Sequence, residues 1–240
     1  MTLEIMPEVD QLTDACRTRF GDESRWITAE GYRDSLALCI IDSLFSTGSH
    51  YQSVINVVNN YCSHRIGQGG KPEHDGTKEL IGTYTDIGGS DKWADLVNNR
   101  KPAHTHPGAL LKAEVIYRAA EKLHAMGIKT MADLYVAHAA DEHLTELKTA
   151  WRKLPSQSSG VTFNYFLILA GFQSVKPDRM VLRFVEEHVG GGRTLTPMQT
   201  ADLIKAVAQA YPTTPSKLDH IIWRYVSGRD ILAPENEPES

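Results

Sequence analysis

One carboxylate in the C-terminal third of the sequence is placed where it could do chemistry. Asp178 follows Lys176 and Pro177 and precedes Arg179, at the start of an amphipathic segment. Proline suits the first turn of a helix, and the helix dipole favours a negative charge there. A carboxylate held in this way can stabilise developing positive charge and orient a water molecule. We therefore take Asp178 as the candidate catalytic residue; the alternative is that it only caps a helix.

The residues before Asp178 predict a turn followed by a buried helix. Leu154-Pro155 opens a small polar cluster that cannot easily continue a helix, and residues 161–172 contain no charge. Backbone N–H groups in such a turn can bind phosphate. The candidate phosphate-binding residues are Ser156, Gln157, Ser158, Ser159 and Gly160. A plain polar turn is the alternative for this cluster.

The stretch 154–189 resembles the helix-hairpin-helix DNA glycosylases, the superfamily of endonuclease III and the bacterial 3-methyladenine glycosylases. Their motif is Leu-Pro-Gly-Val-Gly, then a helix, then a catalytic Asp. Leu154-Pro155 begins the same pattern here, and Asp178 follows Leu154 by twenty-four positions, as in endonuclease III-like members. Lys112-Ala113 also looks like the Lys-Ala-x-x-Ile step of these enzymes. The resemblance implies that Asp178 assists cleavage of an N-glycosidic bond in double-stranded DNA.

Three departures from the family pattern narrow this expectation. Ser156-Gln157-Ser158 replaces the Gly-Val-Gly turn, which weakens close approach of the backbone to DNA. Gly160 stands where bifunctional members keep a Schiff-base lysine, so covalent lyase chemistry lacks its amine. No cysteine follows Cys62, which excludes the iron–sulfur cluster found near the C-terminus of many relatives. We therefore expect a monofunctional glycosylase that uses no cofactor and no metal.

Further residues are candidates for contacts with DNA. Lys176, Arg179 and Arg183 lie close together in sequence, and the last two share one helix face. Near the end of an early helix, Phe45, His50 and Tyr51 are candidates for a base pocket or for a wedge that fills the gap left by a flipped base. The alternative for Phe45 and Tyr51 is a place in the core.

Composition places the chain among ordinary globular proteins. Its 240 residues have a net charge of −5, which argues mildly against nucleic acid, although acidic residues near the C-terminus contribute to the excess. No apolar run is long enough to span a membrane and no signal-peptide pattern is present, so we expect a cytoplasmic protein without a membrane partner. Cys16, Cys39 and Cys62 are widely spaced and predict free thiols. His104 and His106 could bind a metal, but a surface loop is favoured.

The elements that position these residues are predicted to be about ten helices, without convincing alternation typical of strands. Among them, helices are expected from residue 7 to 20, from 30 to 45, from 77 to 87 and from 215 to 226. The family resemblance implies an all-α fold of two helical lobes with a cleft between them, at which the hairpin and Asp178 would lie. The central lobe would contain residues 30–172 with the hairpin. Residues 1–29 and 173–232 would form the second lobe, and 233–240 a disordered acidic tail.

Two function classes compete with the glycosylase hypothesis. A non-catalytic helix-hairpin-helix DNA-binding protein would explain the altered turn and the negative net charge. A helical protein without a nucleic-acid role would use Asp178 only as a cap. The spacing of Asp178 within its motif favours the glycosylase. The sequence specifies neither the base nor the oligomeric state.

Overall fold

The prediction of an all-α protein is confirmed. A computed structural model describes residues 6–28, 30–189 and 194–234, and this part of the chain contains helices and two isolated bridges but no strand. The α-helices are α1 (Met6–Phe20), α2 (Leu36–Ser46), α3 (Tyr51–Gly67), α4 (Thr77–Ile87), α5 (Ser90–Leu96), α6 (Lys112–Ala125), α7 (Met131–Ala140), α8 (Thr145–Arg152), α9 (Val161–Leu169), α10 (Arg179–His188), α11 (Pro197–Ala210) and α12 (Pro215–Val226). Two short 3-10 helices span Glu23–Arg25 and Pro72–His74.

The chain divides into two compact units. The central unit is Gly31–Gly171, and the terminal unit combines Met1–Glu30 with Phe172–Ser240. The family resemblance placed boundaries at residues 30 and 172. The similarity of these units to the two lobes of a glycosylase stays a prediction.

Helix α2 is the centre of the central unit. Nearly all of its side chains are buried, and it packs against α3, α6 and α9. Its C-terminal Phe45 lies beside Trp93, which stacks on Tyr84 with ring centroids 4.9 Å apart. Another aromatic group joins α8 to α9, because Trp151 packs against Phe166 at 4.9 Å. Two groups of buried aromatic side chains, one around Trp93 and one around Trp151, therefore stabilise this unit.

Helix α2 begins later than the sequence predicts. Residues 30–35 are not helical, and Ser35 caps the helix by accepting a hydrogen bond from the N–H of Leu38. Gly31 has φ +67°, and a Cβ there would lie 2.4 Å from the Leu169 carbonyl oxygen. The N–H of Tyr32 donates to the same oxygen at 2.7 Å. This close approach to the end of α9 requires glycine and prevents a longer helix.

The terminal unit has its own apolar core. Helix α1 packs against α10 and α11, and α12 packs against the same two helices. Leu12 of α1 and Val185 of α10 belong to one cluster of buried side chains, so the N-terminal helix shares a core with residues after Phe172. Trp26 forms an isolated bridge with Leu232. The predicted disordered tail, 233–240, begins too early, because the N–H of Ala233 donates to the Arg25 carbonyl oxygen at 2.8 Å. Residues 235–240 lie outside the described residues.

The structure also shows the surroundings of the three cysteines and of His104 and His106. Cys16 and Cys39 are buried and Cys62 is partly buried, all as free thiols. Burial raises the pKa of the Cys16 thiol to about 12, which fits a packing role. His104 and His106 contact each other, but no group of three metal-ligating side chains occurs in the described part of the chain. Within the same residues, no helix is long and apolar enough to cross a membrane.

Candidate functional site

Asp178 is the N-cap of α10. Its Oδ1 atom accepts hydrogen bonds from the backbone N–H groups of Met180 at 2.8 Å and Val181 at 3.3 Å. Asp178 is only partly buried. No backbone N–H of the described residues donates to its Oδ2 atom. One carboxylate oxygen therefore fixes the side chain, and the other can interact with a ligand.

The approach to Asp178 is held by two side chains of α12. The Ser216 hydroxyl accepts from the N–H of Ser174 at 3.0 Å and lies 3.2 Å from the carbonyl oxygen of Phe172. One turn later, the Oδ1 atom of Asp219 accepts from the N–H of Lys176 at 3.0 Å. These bonds fix residues 172–178, a segment between helices that is itself neither helix nor strand. The position of Asp178 thus depends on α12 as well as on α10.

Asp219 is an unusual carboxyl group because it is buried. Only 6% of the residue is exposed. Desolvation, and after it the charge of Asp178, raise its pKa well above the ordinary value. Its neighbour His220 stacks on Trp223 at 5.7 Å, and burial lowers the His220 pKa to about 4. His220 is therefore a neutral packing residue, whereas Asp219 belongs to the surroundings of Asp178.

The three basic residues near Asp178 differ in their surroundings. Lys176 is partly buried and has partners within the structure. Arg179 is exposed and forms no ion pair with another described residue. Arg183 is also exposed, donates to the carbonyl oxygen of Val226 at 3.3 Å and lies 3.7 Å from Glu187. Arg179 is consequently the cation that is most available to a phosphate group.

The predicted hairpin is a turn between α8 and α9 in the central unit. Gln157 is buried, and its Oε1 atom accepts from the Thr162 hydroxyl at 2.6 Å. That hydroxyl accepts in turn from the Trp151 ring N–H at 2.9 Å. The side chain of Gln157 therefore braces the turn rather than facing solvent. Ser156 adopts φ +65°, a left-handed conformation that usually favours glycine.

The outer part of the turn offers backbone donors. Ser158 and Ser159 are exposed, and their N–H groups have no acceptor among the described residues. Gly160, the N-cap of α9, supplies no side-chain cap and has φ +76°. The Ser159 hydroxyl accepts from the N–H of Val161 at 3.4 Å, which leaves the N–H groups of Ser158 and Ser159 and the positive dipole end for an anion. Phosphate binding by this turn stays a prediction.

The candidate base-pocket residues differ in their exposure. Phe45 is fully buried against Trp93, so it is a core residue, which corrects its assignment as a wedge or base-pocket residue. The reason is that α2 is surrounded by other helices up to its last turn. His50, the N-cap of α3, is exposed, and Tyr51 is 45% exposed. These two remain accessible.

Lys112 gives the Lys-Ala step a structural role. It is 3% exposed, and its Nζ atom donates to the carbonyl oxygens of Leu44 at 2.9 Å, Phe45 at 2.9 Å and Thr47 at 2.6 Å. These acceptors lie at the C-terminus of α2, where the helix dipole favours a cation. The turn that leads to His50 and Tyr51 is therefore anchored from α6.

Sequence reasoning missed Asp42, which lies on α2 among apolar residues. Its Oδ2 atom accepts from the Tyr32 hydroxyl at 3.0 Å, and the Tyr165 hydroxyl also bonds to this carboxylate. Burial, and then the Asp42 charge, raise the pKa of Tyr165 well above its usual value. The signal in the sequence was a lone acidic residue in an otherwise uncharged helix. The Asp42 carboxylate therefore joins α2 to Tyr32 and to Tyr165 of α9.

Comparison with known proteins identifies the class of the chain but no activity. Residues 10–227 match the family model described as "Domain of unknown function (DUF8548)", and the chain belongs to that family. No curated protein and no solved structure shows a significant match. A functional conclusion therefore rests on the site itself.

Proposed function

We propose that the protein is a monofunctional DNA glycosylase that excises a damaged or modified base from double-stranded DNA. The observation that carries this proposal is the environment of Asp178. Its Oδ1 atom is fixed by two backbone N–H groups, and the segment before it is held by α12. A carboxylate fixed in this way is ready to act without rearrangement. The spacing from Leu154-Pro155 adds support from the sequence pattern.

In the proposed reaction the bond between the deoxyribose C1′ atom and the base nitrogen breaks, and the base leaves with the bonding electrons. The Asp178 carboxylate stabilises the positive charge that develops on the sugar. Water then bonds to C1′, and the proton that it loses is available for the departing base. Gly160 provides no amine, so no Schiff base forms there and the product is an intact abasic site.

Binding to the duplex is proposed to use both units. In the central unit, α8, the turn 153–160 and α9 would be the helix-hairpin-helix motif, with the N–H groups of Ser158 and Ser159 on a phosphate. In the terminal unit, Arg179 and Arg183 would contact other phosphates. His50 and Tyr51 would stack on a base or fill the space that it leaves. The proposal keeps the cytoplasmic location that is expected from the sequence.

The direct test is a screen of duplexes that each contain one damaged or modified base. Alkali cleaves the strand at abasic sites, so release of any base appears as a shortened strand. We expect cleavage only after alkali treatment, because the proposed enzyme lacks lyase activity. Cleavage of one lesion by the wild type and its loss in Asp178→Asn would support the proposal. Cleavage without alkali would contradict the monofunctional assignment.

A non-catalytic DNA-binding protein is the second candidate. It is favoured by the buried position of Gln157 and by the loss of the two hairpin glycines, which alter the turn that relatives use. This candidate predicts salt-dependent duplex binding without release of any base in the screen. Absence of both binding and release would reject both candidates and leave Asp178 as a helix cap.

A further inference from the structure

The buried carboxyl of Asp219 is the feature that the proposed function leaves unexplained. It lies one turn after Ser216 on α12, and both side chains bind the segment that leads to Asp178. Ser216 holds the far end of this segment, at residues 172 and 174. Asp219 holds the near end, two residues before the cap, by accepting the Lys176 N–H at 3.0 Å. A buried carboxyl is a costly choice for a single backbone hydrogen bond.

The charges around Asp219 come from the segment that it holds. Desolvation is the largest influence on the pKa of its carboxyl; Asp178 reinforces the increase and Lys176 opposes it. Helix α11 also packs on α12, but its Asp202 and Lys205 are exposed and lie 3.4 Å from each other.

The acidic side chains of α10, Glu186 and Glu187, are likewise exposed, as are Arg179 and Arg183. Its remaining ionisable group, His188, lies 2.7 Å from the Phe184 carbonyl oxygen through Nδ1. Among the described residues, Lys176 is thus the one cation whose charge lowers the pKa of Asp219.

We propose that Asp219 is a positioning residue for Asp178 and that it acts as a neutral acid. As a neutral group it accepts the Lys176 N–H and fixes the start of α10. It also adds no second negative charge beside Asp178, so the pair keeps one charge, on the more exposed carboxylate. The catalytic consequence rests on the proposed glycosylase function, whereas the positioning and the protonation state do not.

The protonation state can be tested by stability as a function of pH. A carboxyl whose pKa is higher in the folded than in the unfolded protein stabilises the fold less as the pH rises above the ordinary value of 3.8. Asp219→Asn mimics the neutral acid and does not ionise. The Tm of the variant relative to wild type should therefore increase between about pH 4 and pH 7, by several degrees. A relative Tm that falls over this range would show an ionised, ion-paired Asp219 and would overturn the proposal. A relative Tm that does not change with pH would also overturn it.

The positioning role can be tested through the cap of α10. Amide hydrogen exchange at Met180 and Val181 reports the bonds to Asp178. We expect Asp219→Ala to accelerate this exchange by about tenfold or more, while Asp219→Asn retains wild-type protection. Leu203→Ala, a buried position on α11, is the control for general destabilisation, with the comparison made at equal global stability. Equal exchange at both amides in Asp219→Ala and this control would overturn the positioning role.

Turnover completes the test once a substrate base is known. Asp219→Ala should lower the rate of base release on the order of ten- to a hundred-fold, with little change in duplex affinity, because misplacement of a reacting group affects the chemical step. Asp219→Asn should restore most of the rate. If the wild type releases no base, the glycosylase proposal fails, and the pH and exchange measurements still decide the role of Asp219. Unchanged turnover in Asp219→Ala would overturn the catalytic consequence.

Discussion

The N-termini of α9 and α10 have the same helix dipole but opposite chemistry. Helix α10 begins at Asp178, whose carboxylate occupies the N–H groups of its own first turn. The N-cap of α9 is Gly160, which has no side chain, and the neutral Ser159 hydroxyl accepts from the N–H of Val161 at 3.4 Å. The N–H groups of Ser158 and Ser159 have no acceptor among the described residues. The first end therefore presents a negative charge and the second can accept one.

Under the proposed glycosylase function, this difference would assign phosphate binding to one helix end and charge stabilisation to the other. An open helix start attracts phosphate from any sequence of DNA. A helix start filled by its own carboxylate repels phosphate, but it can stabilise a positive charge that forms on a sugar. The dipole supports both arrangements, because in each case a negative charge lies at the positive end of a helix. The cap residue alone determines whether that charge belongs to the protein or to the ligand.

The largest effect on binding is expected from the basic face of α10, which contains Arg179 and Arg183. Arg179→Glu with Arg183→Glu replaces two cations by two anions and should weaken duplex binding on the order of ten- to a hundred-fold. If both arginines contact phosphate, the plot of log affinity against log salt should also flatten by about 2. Fluorescence anisotropy with labelled duplexes of unrelated sequence measures both quantities.

The matched control changes the net charge equally at two exposed lysines of the central unit, Lys71→Glu and Lys92→Glu. This control should lower affinity only slightly and leave the salt slope unchanged. If the arginine variant behaved like the control, the basic face of α10 would not be a contact with DNA.

A smaller effect is expected when α9 is given a cap like that of α10. Ser159→Asp replaces the hydroxyl that accepts from the Val161 N–H by a carboxylate at the positive end of the helix dipole, so it should stabilise the protein by about 0.3–1 kcal/mol. The same charge should reduce duplex affinity by about tenfold, because it occupies the place of a phosphate. Thermal melting and anisotropy together test this opposite change in stability and affinity.

Ser159→Asn is the control for this substitution, since it has the same shape without the charge. We expect near wild-type affinity for Ser159→Asn. Wild-type affinity in Ser159→Asp would mean that the start of α9 does not bind phosphate.

The smallest effect on the folded protein is expected at Asp178. Asparagine is also a good N-cap, so Asp178→Asn should change the free energy of unfolding by less than about 0.5 kcal/mol, whereas Asp178→Ala should lose about 1 kcal/mol. Duplex affinity should stay the same or rise slightly, because a negative charge near DNA is removed. Chemical denaturation of the three proteins tests the first expectation. Equal stability of the Asn and Ala variants would show that the cap contributes little.

Local sequence signals were sufficient for much of the fold. Apolar spacing and the residues at helix ends predicted α1, α4 and α12 close to their observed limits. The start of α2 was missed because it is set by a contact distant in sequence, in which Gly31 lies against the end of α9. Propensity within residues 30–35 contains no information about that contact.

A residue of the candidate site could be predicted only where it also has a role in local structure. Asp178 was found because a helix cap has a local signature, with Pro177 beside it. Asp219 has no such local signature, since its role depends on the segment at residue 176, which only the tertiary fold brings close. Phe45 was misassigned for a related reason: its burial depends on Trp93, which is distant in sequence. Contacts between elements, rather than propensities, decided these outcomes.

The central claim is that the Asp178 carboxylate supplies charge to a glycosidic cleavage, and single-turnover base release tests it most directly. With a substrate from the lesion screen, enzyme in excess and saturating concentrations, the observed rate reports the chemical step. We expect Asp178→Asn to lower this rate by about a hundred- to a thousand-fold, equivalent to about 3–4 kcal/mol of electrostatic stabilisation, with stability and affinity nearly unchanged. Release by the Asn variant within a few-fold of the wild-type rate would contradict the claim.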